Sequence, residues 1–98
     1  MLSSAEQISN LENLRQYVIE VLCERNQLEL GAFPVSERIL VRSGKPCGLF
    51  FCLHGPRSVK FTAIWETEQN TILFYDATGE RIHRTRLLRA PELEAAAV

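Results

Sequence analysis

The spacing of apolar and polar positions changes period once along the chain. Over residues 4–29 the apolar set Ile8, Leu11, Leu14, Val18, Val21, Leu22 and Leu28 falls on one broad stripe, with Tyr17 and Ile19 at its flanks. Glu12, Asn13, Gln16, Glu20 and Glu24 fall on the other side. At 3.6 residues per turn that distribution predicts one amphipathic helix. Ser3 with Glu6, or Ser4 with Gln7, supplies a capping-box start. Gly31, with Pro34 beyond it, supplies the stop.

From residue 37 the period falls to two, the repeat of a strand. Five strands are expected, at 38–42, 48–54, 59–66, 71–76 and 80–88. The connections between them are too short for a parallel crossover, so neighbours pair antiparallel as a meander. The third of these strands sorts Val59, Phe61, Ala63 and Trp65 onto one face, and Lys60, Thr62, Ile64 and Glu66 onto the other. The first sorts Ile39 and Val41 inward and Arg38, Leu40 and Arg42 outward. The second and fourth are apolar on both faces: Leu49, Phe51 and Leu53 oppose Phe50 and Cys52, and Ile72 and Phe74 oppose Leu73 and Tyr75. A strand apolar on both sides is covered twice or holds a partner. The expected fold is α+β, one long N-terminal helix packed on a five-stranded antiparallel β-meander across residues 1–90. Residues 91–98 are expected to form a frayed or disordered tail. The expected core is Leu11, Leu14, Val18, Leu22, Ile39, Val41, Phe51, Phe61, Trp65 and Phe74.

Composition narrows the class without naming an activity. The 98 residues are 46% hydrophobic and 23% charged, ordinary for a globular domain and unlike a disordered chain. Three cysteines form an odd, sparse set, which points to a reduced compartment rather than a secreted disulfide scaffold. Residues 1–6 carry neither a basic segment nor an apolar run, and no stretch approaches a membrane span, so a cytoplasmic location off the membrane is expected. The formal net charge is −1, against a dedicated nucleic-acid binder. The charge is unevenly placed: residues 1–33 carry five acids and two bases, residues 34–98 seven acids and nine bases.

Candidate chemistry is thin. Cys52 and His54 share a strand face and could supply two zinc ligands, with Cys47 as a third; the paired Cys-x-x-Cys pattern of a structural zinc site is missing, and no cofactor is expected. Cys47 stands near Lys45, a cation that favours thiolate, but His54 lies at the other end of its strand. No pair of carboxylates is forced together, and no glycine-rich phosphate loop is present. An enzyme is therefore not favoured. Arg38, Arg42, Lys60, Arg84 and Arg86 share the outer parity and would form a basic face beside Phe50 or Tyr75, which suits single-stranded nucleic acid. A charged edge strand that resists aggregation is the simpler account.

The order of a helix followed by five antiparallel strands resembles Sm-like RNA-binding barrels, and Glu66 and Asn70 have the spacing of that family's Asp and Asn. Lys60 stands where that family has glycine, and no Arg-Gly follows an apolar residue near Arg84–Arg89. A meander curled round one helix is similar to the cystatin arrangement, without an inhibitory motif. Neither likeness assigns a family. The expectation is a non-catalytic protein-interaction module that forms a homodimer, or binds another protein, through Phe50, Cys52, Leu73 and Tyr75. The alternatives are a single-stranded nucleic-acid module on the basic face and, below it, a thiol or zinc protein.

Overall fold

The computed structural model describes residues 2–6, 8, 10–89 and 91, with only the backbone of residues 2–4 and 6. Its elements are β1 (Leu2–Glu6), α1 (Leu11–Arg25), β2 (Val35–Arg42), β3 (Lys45–His54), a short 3-10 turn (Pro56–Ser58), β4 (Lys60–Glu66), β5 (Thr71–Tyr75) and β6 (Arg81–Leu87). The five strands β2 to β6 follow one another antiparallel in meander order, and α1 packs on one face of the sheet. The α+β reading of the sequence therefore holds. Apart from Pro91, the expected 91–98 tail lies outside the described residues.

The first turns of the expected helix are not helical. Residues 2–6 form β1, which pairs parallel with β6, Leu2 opposite His83 and Glu6 opposite Leu87, and makes a six-stranded sheet. The helix begins instead at Asn10, whose extended backbone and side-chain oxygen cap it by accepting from the Asn13 amide at 2.8 Å. Asparagine is among the strongest N-caps, and a free β6 edge offers residues 2–6 a full row of backbone partners. The proposed Ser3/Glu6 and Ser4/Gln7 caps are thus replaced. At the other end Asn26 closes the helix, its side chain donating to the Leu22 carbonyl at 2.7 Å. Gln27 then turns the chain with a φ of 56°, so the helix stops before residue 29.

Leu14, Val18 and Leu22 are wholly buried against Leu49, Phe51, Leu53, Ala63, Trp65, Ile72 and Phe74. The spacing of four residues keeps those three on one stripe, and the period of two puts their partners on one sheet face. A bidentate pair ties the helix to the outer strand: Arg15 Nε and Nη2 donate to Glu37 at 2.7 and 3.0 Å. Leu11, Ile39 and Phe61 pack at the border of this core as expected. Val41 does not join it. The β2–β3 register shifts between Leu40 and Val41, and Val41 sits at the hairpin end beside the Ser43–Gly44 turn, 61% exposed. Gly48 is buried where β3 crosses β4. A Cβ at that position would collide with the Trp65 carbonyl oxygen, so only glycine fits the approach.

Urea unfolding followed by Trp65 fluorescence separates these positions. Leu14→Ala is expected to cost about 2–5 kcal/mol, because it opens a cavity in the packed layer. Gly48→Ala should cost about 1–3 kcal/mol through overpacking. Val41→Ala should stay within about 0.5 kcal/mol. An equal loss at Leu14 and Val41 would mean the core is misplaced.

Candidate interaction surface and its basic cleft

The sheet face turned away from α1 is assembled by register. Successive pairings lay Arg38, Phe50, Ile64, Leu73 and Arg84 in one row across β2 to β6. The neighbouring row is Ser36, Cys52, Thr62 and Tyr75. Phe50, Cys52, Leu73 and Tyr75 therefore lie on one face, on the side the sequence parity indicates. Ile64 fills the middle of the row, a position whose parity with Lys60 and Thr62 was readable but which was not singled out. Phe50, Ile64, Leu73 and Tyr75 are half-buried and Cys52 is buried, although the helix lies on the other side. Over Phe50 part of that cover is the Arg38 guanidinium, 5.3 Å from the ring centroid, a cation–π contact.

Four of the five basic candidates share this face. Arg38 and Arg84 end the apolar row, Lys60 is paired with His54, and Arg86 with Thr71. Arg42 stands apart. It lies past the register shift, opposite Lys45, and approaches Glu68 at 3.8 Å in an exposed ion pair. Such a pair contributes little to stability.

At the β2–β4 corner of the face, Ser36, Glu37, Arg38, Phe50, Cys52, His54, Lys60 and Thr62 line an open cleft of about 440 Å³. That volume falls within the range of small-molecule sites. Ser36 Oγ and His54 Nε2 are 3.0 Å apart and close one end. Ser36 and Thr62 carried no sequence signal beyond their outward parity.

The metal candidates are not gathered. Cys52 and His54 share the cleft, but Cys47 lies near the other end of β3, where its carbonyl accepts from the Thr67 amide and hydroxyl. Among the described residues no group of three or more His, Cys, Asp or Glu could hold a metal ion. Cys23 is buried in the helix–sheet core, and burial pushes its thiol up. Such a thiol is less nucleophilic at neutral pH.

Glu66 and Asn70 organise their own turn. Glu66 accepts from the Gln69 amide at 2.8 Å. Asn70 Oδ1 accepts from Trp65 Nε1 at 3.0 Å, while its Nδ2 donates to the Leu87 and Arg89 carbonyls. These bonds consume the asparagine amide internally. Asp76 acts likewise: Oδ1 accepts from the Thr78 hydroxyl and the Thr78 and Glu80 amides, and the Thr78 bond leads in holding its carboxyl below the usual value.

A polar cluster sits on the helix side of the sheet, where the sequence offered only an alternating basic strand. His83 and Thr85 are buried beneath α1. Tyr17 Oη lies 2.8 Å from Thr85 Oγ1. The His83 ring lies 5.5 Å from Phe74, and its Nδ1 is 3.4 Å from Arg25 Nη2. A guanidinium has only donors, so that contact requires an unprotonated Nδ1. Burial first, and Arg25 second, lower the His83 pKa, with Glu24 opposing them.

No protein-family model matches the chain, and searches of curated proteins and of solved structures return no match. No helix is long and apolar enough to cross a membrane among the described residues.

A depressed histidine value makes the unfolded chain bind more protons than the folded one, so stability should rise with pH. The expected outcome is a falling urea midpoint as pH drops from about 7.5 through the ordinary imidazole value of 6.5. His83→Gln should flatten that slope. An unchanged slope in the variant would remove His83 as its source.

Proposed function

We propose that the chain is a non-catalytic interaction module that self-associates through the outer sheet face. The row Phe50–Ile64–Leu73 carries this reading: three adjacent apolar side chains on the face opposite the helix, with Tyr75 and Cys52 beside them. Arginines at both ends give the row the apolar centre and charged rim common to protein interfaces. A second copy suits the face because an apolar row left without a covering layer can close on itself in a symmetric pair. A two-fold axis along the row would lay β4 antiparallel over β4 of the second copy. The Lys60 end of one strand would then meet the Glu66 end of the other, in an isologous contact.

Single-stranded nucleic acid is the second reading, favoured by the Arg38–Phe50 cation–π contact and by Lys60, Arg84 and Arg86 on the same face. Binding of that kind would weaken steeply with salt.

Size-exclusion chromatography with light scattering tests both. The expected result is twice the chain mass, with no excess absorbance at 260 nm. Leu73→Asp should give a monomer with an unchanged far-UV circular dichroism spectrum, since a charge buried in the centre of the contact costs several kcal/mol. A wild-type monomer at every concentration would contradict self-association. A co-eluting 260 nm signal lost at high salt would support the nucleic-acid reading instead.

A further inference from the structure

We infer that the cleft at the β2–β4 corner binds a small organic oxyanion, a phosphate or carboxylate group carried on a planar apolar body. The inference goes beyond self-association and does not require it. The cleft brings together two cations and an aromatic wall, a combination the apolar row alone would not need. The Arg38 guanidinium carbon lies over the Phe50 ring, 5.3 Å from its centroid. A guanidinium in a cation–π contact and without an ion-pair partner keeps N–H donors that can fork onto two oxygens. Lys60 lies on the other side of β3, opposite His54, with the hydroxyls of Ser36 and Thr62 and the ring of His54 in the same lining.

Charge supports an anion over a neutral ligand. The acid in the lining, Glu37, is engaged through both carboxylate oxygens by Arg15, at 2.7 and 3.0 Å. Neither Arg38 nor Lys60 is in an ion pair among the described residues. The cleft therefore presents positive charge toward solvent. Its volume of about 440 Å³ exceeds what a bare phosphate needs and suits a ring-bearing anion. The apolar surface of Phe50 and Cys52 would cover the ring, while polar groups at the rim would fix the head.

Titration of the full chain by two-dimensional amide NMR, with phenyl phosphate, inorganic phosphate and phenol as separate probes, tests the inference. Phenyl phosphate should give saturable shifts centred on Arg38, Phe50, Cys52 and Lys60. Inorganic phosphate should bind the same residues about tenfold more weakly, and phenol should leave them unmoved. Arg38→Ala and Lys60→Ala should each weaken phenyl phosphate about tenfold with the fold spectrum intact. Leu73→Asp lies off the cleft and should bind at least as well as wild type, whatever its oligomeric state. Absence of saturable shifts, equal binding of phenol, or unchanged affinity in both cation variants would overturn the inference. A loss of binding in Leu73→Asp would overturn it as well, by assigning the shifts to the apolar row. The oligomeric state, recorded on the same samples, reads self-association separately.

Discussion

Leu14, Val18 and Leu22 are wholly buried against the side chains of Leu49, Phe51, Trp65, Ile72 and Phe74, and the other elements take their places from that contact. It fixes which face of the sheet is interior. The Arg15–Glu37 pair secures the helix to β2, and the Tyr17–Thr85 contact reaches β6 at the other side. With α1 committed to one face, the opposite face of the described sheet is left to side chains of the sheet itself. The row Phe50–Ile64–Leu73 and the cleft beside it are consequences of that arrangement, because β3 and β5 are apolar on both sides.

The strands were legible because their periodicity is carried by large side chains. Phe51, Trp65 and Phe74 mark the interior, and Phe50, Leu73 and Tyr75 mark the exterior, through simple alternation. The four antiparallel pairings of β2 to β6 followed from connections too short for anything else. The helix was legible over its middle, where Leu14, Val18 and Leu22 repeat at four residues. Its beginning was not, because residues 2–6 can continue the stripe or add a strand, and the available edge of β6 decides between them. That edge exists only after the rest of the sheet has formed, so no local pattern announces it. Val41 was misplaced for a related reason. Alternation tells a side chain's parity, but not whether the core extends to the end of a hairpin.

The candidate surface was legible in its large residues and hidden in its small ones. Phe50, Cys52, Leu73 and Tyr75 assemble from parity alone. Ser36 and Thr62 acquire significance only once β2 and β4 flank Cys52 in register. His83 shows the opposite failure. Within Arg81–Arg86 it reads as one more basic residue on an exposed strand, yet its parity takes it under the helix beside Phe74 and Arg25. Asn70, suggestive as half of a spaced pair, serves the turn that joins β4 to β5.

The central claim is that the face opposite α1 is an interface between copies of the chain. Its most direct measurement is the concentration dependence of backbone amide shifts during dilution. The account predicts that amides of Phe50, Ile64, Leu73 and Tyr75 move together along one binding curve, while those of Leu14, Val18 and Leu22 stay fixed. Shifts independent of concentration in a chain that remains monomeric, or a curve centred on the α1 surface, would contradict it.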